Sequence, residues 1–340
     1  MTRSIGTERT VVPDMHAVIP VAGRGTRMRP LTWSVPKVLI RLAGNTMLGH
    51  ILDELAVAGV DHVTLVTGYL GDQIVKWTTE NYPGISVDHA VQEKMDGLAS
   101  AISLASPMTD DGPLLVVLGD TLFSADLSKA MVDGRNMIAV SRVDDPRRFG
   151  VVVMEGDRVV RLVEKPAEPV SNLAIVGIYV FSSGRALMDA TERLIGSGKR
   201  TRGEYQLTDA MQLMLDDGHD FGAFSVEGWY DCGKPETMLS TNRILLDRGR
   251  GRSSSRVEGS VILPPVSIHE DAEIVSSIVG PYVSIASGCR IEGTLISDSI
   301  VGCGTTIRNA NISGSLIGDN ATVSGNSARM IAGSTCEIEI

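Results

Sequence analysis

From residue 16 onward, short apolar runs alternate with segments whose apolar positions recur at helical spacing. Residues 17–21 read as a short buried strand. In residues 47–58, Leu48, Ile51, Leu52 and Leu55 fall three or four apart, the spacing of one helix face. Residues 63–67 then read as a strand, 71–80 as a helix, 85–91 as a third strand and 98–105 as a further helix. The run 114–118 is wholly apolar and suits the centre of a parallel sheet. A repeated strand–helix–strand order with continuous apolar strands predicts a parallel sheet covered by helices on both faces.

Near Arg248 the pattern changes. Residues 247–256 read DRGRGRSSSR, contain no apolar residue, and are taken as an exposed linker. Beyond Val261 aliphatic residues recur six apart: Ile262, Ile268 and Ile274; Val279, Ile285 and Ile291; Val301 and Ile307; Ile317 and Val323. Gly280, Gly288, Gly293, Gly302, Gly304 and Gly318 fall between them. One inward aliphatic per six-residue step suits one flat face of a triangular parallel β-helix. Three faces make a coil of roughly 16–18 residues, and coils bury a core only by stacking. Many proteins with this repeat are acyltransferases that use a histidine. Here His269 is the one histidine of the repeat, at a position read as a surface corner.

Composition narrows the function. The chain has 340 residues, 43% of them hydrophobic and 21% charged, the balance of a globular protein. Its net charge of −10 argues against general binding to nucleic acid or to an anionic membrane, while leaving room for a local phosphate pocket. The four cysteines, Cys232, Cys289, Cys303 and Cys336, form no CxxC pair and read as small buried thiols of a reducing compartment. Residues 1–15 are read as a polar N-terminal extension without the apolar core of a signal peptide, and no stretch approaches the ~20 apolar residues of a membrane span. The expected location is the cytoplasm.

The strongest local chemistry lies in PVAGRGTRMRPLTWSVPK, residues 20–37, directly after the first strand. Gly23 and Gly25 permit tight turns and let backbone N–H groups approach an anion. Arg27 can fork onto phosphate oxygens and Lys37 supplies a compact charge. The spacing fits neither GxGxxG nor a Walker A loop. Asp120 closes the apolar strand 114–118, where a carboxylate points into the ligand crevice of such a sheet and can take Mg²⁺. Asp231, in WYDCG, is read alone as a turn residue but could complete a metal site with Asp120. Glu164-Lys165-Pro166 follows a strand pattern at 159–163; the acid could accept sugar hydroxyls and the lysine hold a phosphate, or the two could form an exposed ion pair before a turn.

Taken together, these residues resemble the sugar-1-phosphate nucleotidylyltransferases. The matching pieces run in order over 16–340: AGRGTRMRPLT with Pro36-Lys37, VQEKMDGLASAI, LGDTLF, FGVV, VEKP, SNLAIVGIYVF, GEYQLTDA and GWYDCGKPETMLSTNRILL, then the repeat. The pattern is similar to long-form glucose-1-phosphate thymidylyltransferases. Ala22 in the loop, SNLAIVG and Asp231-Cys232-Gly233 look more like the UTP–glucose-1-phosphate uridylyltransferases, so dTTP and UTP both stay open.

The resemblance implies an α/β fold with a Rossmann-like mixed, mainly parallel sheet over 16–246, followed by a left-handed parallel β-helix over 257–340. It implies that Gly23, Gly25, Thr26 and Arg27 cover the nucleoside triphosphate and that Lys37 neutralises the reacting phosphates. Gln92 and Gly97 would meet the base, and Asp120 and Asp231 would hold Mg²⁺. Glu164 and Lys165 would bind the sugar and its phosphate, with Gly150 and Tyr179 lining the sugar pocket. The implied partners are a nucleoside triphosphate, a hexose 1-phosphate and further copies of the chain. A non-catalytic regulatory subunit of this layout would lack some of Arg27, Lys37, Asp120 and Asp231, and all four are present. The short repeat and the placement of His269 weigh against an acetyltransferase.

Overall fold

A computed structural model describes residues 15–127, 130, 134–251, 256–325 and 327–339. The first part of the chain is a nine-stranded sheet. Its strands are β1 (His16–Pro20), β2 (His62–Thr67), β3 (Ser86–Val91), β4 (Leu114–Val117), β6 (Asn136–Arg142), β7 (Gly150–Glu155), β8 (Arg158–Glu164), β9 (Leu173–Phe181) and β10 (Phe221–Ser225). The order along the sheet is β8-β7-β9-β4-β1-β2-β3, with β6 also paired to β9 and β10 to β6. β5 (Thr121–Ser124) leaves this sheet and pairs antiparallel with β11 (Gly228–Asp231).

β4, β1, β2 and β3 run parallel, as the apolar runs predict. β9 lies antiparallel to β4, β6 and β7, so the sheet is mixed, as the family resemblance implies although the apolar runs alone do not show it. The third strand is an edge strand rather than a buried run, because Ser86, Asp88 and His89 break its apolar pattern.

The helices are α1 (Met47–Val57), α2 (Gly71–Asn81), α3 (Leu98–Ser103), α4 (Gly184–Ser197), α5 (Leu207–Asp216) and α6 (Pro235–Asp247). Two apolar layers follow from the alternation of side chains along the strands. Ala17 and Ile19 face a core with Leu48, Ile51, Leu52 and Leu55 of α1. Val18 and Val116 face a second core with Leu187 of α4 and Met211 of α5. Met15, counted with the N-terminal extension in the sequence, belongs to the first core at 2% exposure. Asp247, counted with the linker, is the last residue of α6. Residues 1–14 of the extension and 252–255 of the linker lie outside the described residues.

From Arg256 the chain winds into a left-handed parallel β-helix of three flat sheets, with six, five and five strands among the described residues. The ladder Ile274–Ile291–Ile307–Val323 points inward on one face, Val279–Ile296–Ile312 on the second, and Ile268–Ile285–Val301–Ile317 on the third. These aliphatics form a core of their own. His269 sits at an exposed corner, Nδ1 2.5 Å from Asp271 Oδ1. No helix among the described residues is long and apolar enough to cross a membrane.

The amino ends of β1, β2 and β3 carry a titratable stack. The His16 and His62 rings lie 4.1 Å apart and parallel. His16 Nε2 is 2.7 Å from Thr64 Oγ1, and His62 Nε2 is 2.8 Å from Asp88 Oδ2. Burial, then the neighbouring His62, lowers the His16 pKa to about 4, against the opposing pull of Asp88 and Asp110. The folded chain therefore binds fewer protons here than the unfolded chain does. The associated stability is complete above pH 6.5 and is lost as the pH falls toward 4, about 2 kcal/mol after allowing for partial solvation of the stack. A His16→Gln chain is expected to lose stability less steeply over that window. Thermal unfolding of the two chains from pH 7 to 4 checks this, and parallel slopes would contradict it.

Candidate active site

The carboxyl ends of β1 and β4 open onto a cavity of about 340 Å³, the usual ligand position for an open α/β sheet. Gly23, Gly25, Thr26, Arg27, Lys37 and Asp120 line it, together with Gly233. A second cavity of about 280 Å³, between the hairpin at Arg41–Thr46 and the β-helix, holds none of the predicted site residues.

The loop after β1 is built from three short 3₁₀ turns, Thr26–Met28, Leu31–Trp33 and Lys37–Leu39. Gly25 stands at φ +59, where a Cβ would lie 3.0 Å from both Lys37 Cβ and Thr32 Cγ2. Only glycine fits this corner, and Thr32 Oγ1 closes it by donating to the Gly25 carbonyl at 2.8 Å. Arg27 remains exposed, while Lys37 is buried at 8% exposure with its Nζ 3.2 Å from Asp120 Oδ2. A buried ammonium with one carboxylate partner keeps donors for a further anion.

Asp231 arrives by the pairing of β11 with β5, which sets it opposite Thr121, the residue after Asp120. Its Oδ1 accepts the Gly233 N–H at 2.7 Å. Arg27 Nη2 and Asp231 Oδ1 crowd the same point over Gly233, 2.9 and 2.7 Å from where a Cβ there would sit. Between Asp231 and Gly233, burial pushes the Cys232 thiol up to about 12, so it is a neutral core group. Asp120 and Asp231 fit a hard divalent cation: two carboxylates, each with an oxygen beyond its present hydrogen bond, beside a cleft suited to phosphate. No group of three or more His, Cys, Asp or Glu side chains with metal-holding geometry occurs among the described residues, so such an ion would need substrate oxygens as well.

Gln92 and Gly97 come together. Gln92 is 6% exposed, its N–H donates to Thr67 at the end of β2, and its Nε2 donates to the Gly97 carbonyl at 3.3 Å. Gly97 has φ +116, and a Cβ there would lie 2.5 Å from the Tyr205 carbonyl oxygen.

Gly150 and Glu164 are paired residues of β7 and β8. Glu164 Oε2 accepts from Thr208 Oγ1 at 2.8 Å, and its Oε1 lies 3.1 Å from Lys165 Nζ. Phe149, next to Gly150, meets Trp229 of β11 edge-on at 4.9 Å, linking this group to the strand that carries Asp231. Tyr179 lies deeper, in the second core at 4% exposure, where burial and the Glu164 charge raise its hydroxyl above the ordinary tyrosine value.

Two neighbours of Glu164 and Lys165 have no local signal in the sequence. Arg202, in the left-handed region at φ 54, donates Nη2 to the Lys165 carbonyl at 2.9 Å and so adds a cation beside Glu164 and Lys165. Thr208 orients Glu164. Both lie in or beside GEYQLTDA, whose match to the family was the one available signal.

A family model described as nucleotidyl transferase matches residues 16–248. A glucose-1-phosphate thymidylyltransferase of Streptomyces antibioticus is 32% identical, over 96% of this chain and 99% of its own length. The UTP–glucose-1-phosphate uridylyltransferase AglF of Haloferax volcanii is also 32% identical, over 65% of this chain and 93% of its own. Among solved structures, one assigned as a glucose-1-phosphate thymidylyltransferase from Bacillus anthracis, in complex with sucrose, superposes with a TM-score of 0.60 at 26% identity, covering 72% of this chain and 98% of that one. The ordered motifs, the mixed sheet with its cleft and the match over most of the chain agree: this protein belongs to the nucleotidyl transferase family, among the sugar-1-phosphate nucleotidylyltransferases.

Proposed function

We propose that the chain transfers a thymidylyl group from dTTP to glucose 1-phosphate, releasing pyrophosphate. The observation that carries this is the match to the S. antibioticus thymidylyltransferase over 96% of the chain, β-helix included. The second reading is uridylyl transfer from UTP. Ala22, SNLAIVG and Asp231-Cys232-Gly233 favour it, as does the likeness to AglF.

In the proposed reaction a phosphate oxygen of the sugar phosphate attacks the α-phosphorus in line. The bond from that phosphorus to the bridging oxygen breaks, and pyrophosphate leaves with the electron pair. The nucleophile is already an anion, so no base is required; the obstacle is repulsion between two polyanions. Catalysis then consists of positioning and charge neutralisation. Arg27 and the N–H groups of the glycine loop orient the departing phosphates. Lys37, fixed by burial and by Asp120, meets the charge that grows on the α-phosphoryl oxygens. Gln92 and the Gly97 backbone hold the base; Glu164, Lys165 and Arg202 hold the sugar phosphate. Asp120 and Asp231 would hold Mg²⁺, which when bound supplies positive charge between the two phosphate groups.

The same reading has the β-helix pairing with that of a second copy. The exposed aliphatic ladder Val261–Ile278–Leu295, in register on one flat face, supports it.

The test is pyrophosphate release from each of dTTP, UTP, ATP, GTP and CTP with Mg²⁺ and glucose 1-phosphate. Release with dTTP is expected. Release with UTP alone moves the assignment to the second reading. Release with only ATP or GTP overturns the roles given to Gln92 and Gly97.

A further inference from the structure

We propose that the last coils of the β-helix hold the nucleotide loop in its working position, which makes Leu316 and Gly333 positioning residues for Arg27 and Lys37; this rests on the reading of the cleft as a triphosphate site. The loop cannot hold its own shape. Its 3₁₀ turns are each three residues long, and Pro30 and Pro36 interrupt the segment. Turns of that length have no independent stability. Beyond the Thr32–Gly25 bond, their conformation depends on what covers the side facing away from the cleft.

That cover is supplied by the β-helix. Ile300 and Leu316 begin the strands Ile300–Val301 and Leu316–Ile317. Val301 and Ile317 point into the coil, whereas Ile300 and Leu316 point outward and join the core that contains Met28, Leu31, Val38 and Ile40. Ile300 is 3% exposed and Leu316 1%, although both lie on the outside of the coil. A narrow gap of about 50 Å³ separates Leu31, Val35 and Leu39 from Gly318 and Ser334.

Polar and steric contacts fix the register. Ser34 Oγ donates to Ser334 Oγ at 2.9 Å. Around Gly333 a Cβ would stand 3.3 Å from Pro30 Cβ and 3.4 Å from the Pro30 carbonyl oxygen. The coil surface therefore meets Pro30 and Ser34, between Arg27 and Lys37 in sequence. The support is stiff at Leu316–Ile317, which is hydrogen-bonded to the coil on either side, and the strand Ile331–Ala332 before Gly333 is paired to it. A reacting group displaced by about 1 Å loses on the order of a hundred-fold in rate. The sugar side of the cleft hangs on other elements, Glu164 on Thr208 of α5 and Arg202 on the Lys165 carbonyl.

This asymmetry gives the test. In the full-length chain, Gly333→Val presses branched carbons onto Pro30. It is expected to raise the KM for the triphosphate about ten-fold, to leave the KM for the sugar phosphate within about two-fold, and to change Tm little. Leu316→Ala, which removes volume behind the loop instead of adding it, is expected to move the same KM in the same direction. Ile312→Ala opens a cavity inside the coil and is expected to lower Tm with both KM values unchanged. Calorimetric titration with dTTP and UTP reads the triphosphate side without turnover. Unchanged triphosphate KM and Kd in both Gly333→Val and Leu316→Ala would overturn the proposal, as would an equal shift in Ile312→Ala. A wild-type chain that binds neither triphosphate would overturn the nucleotide reading of the cleft, and this inference with it.

Discussion

Replacing Lys37 with alanine is expected to lower kcat by about a hundred- to a thousand-fold while the chain stays folded. The size follows from the role proposed for the ammonium. It is 8% exposed and pinned 3.2 Å from Asp120, so it needs no reorganisation when charge develops beside it. A preorganised charge in a water-poor site counts for far more than one in solvent. The side chain is one of several that line the cavity, and its removal opens space at the cavity wall rather than within a packed core. The change should therefore appear in kcat more than in the KM for either substrate. Lys37→Arg should rescue little, because a planar fork does not reproduce a compact ammonium in a buried slot. Steady-state rates at saturating triphosphate and sugar phosphate, with circular dichroism as the check on folding, measure this. Near-normal turnover in Lys37→Ala would remove the residue from the mechanism.

Asp231 carries the second large effect. Alanine there is expected to cost turnover by a similar factor, about a hundred-fold or more. The informative variant is Asp231→Asn. The Asp231 carboxylate accepts the Gly233 N–H at 2.7 Å, and an asparagine oxygen can keep that bond while the negative charge is lost. If Asp231 serves the cation as well as the turn, Asp231→Asn falls nearly as far as alanine, and the Mg²⁺ concentration needed for half-maximal rate rises. Wild-type turnover and Mg²⁺ dependence in Asp231→Asn would reduce the residue to a turn former.

The contrast between Asp120 and Asp231 shows what the sequence could carry. Asp120 follows an all-apolar strand, so its position at the carboxyl end was legible from local pattern alone. Asp231 reads locally as a turn residue, and only the resemblance paired it with Asp120; what sets it opposite Thr121 is the antiparallel register of Gly228–Asp231 on Thr121–Ser124, a pairing between distant segments that no local period encodes. The β-helix was legible because one inward aliphatic per face repeats with every coil. Its docking left a fainter trace. Ile300-Val301 and Leu316-Ile317 place two aliphatics side by side, one for each side of the strand, whereas Thr306-Ile307 and Thr322-Val323 pair an aliphatic with a polar neighbour. Adjacent aliphatics in a coil therefore mark an apolar outer face, and Val261-Ile262, Ile278-Val279 and Leu295-Ile296 carry the same pattern on a face that is exposed, so the pattern does not by itself single out the face that docks. Arg202 gave no such trace. An exposed arginine in a left-handed turn has no periodic neighbour to identify it, and only its hydrogen bond to the Lys165 carbonyl brings it beside Glu164 and Lys165.

In the proposed reaction this cleft moves a nucleotidyl group between two phosphate anions. The most direct measurement follows phosphorus label through one turnover, using dTTP and UTP labelled at either the α- or the γ-position, with Mg²⁺ and glucose 1-phosphate. The expected result is α-label in the nucleoside diphosphate sugar and γ-label in pyrophosphate, with neither label in free inorganic phosphate. Transfer of γ-label to the sugar, or release of either label as inorganic phosphate without a nucleotide sugar, would contradict it.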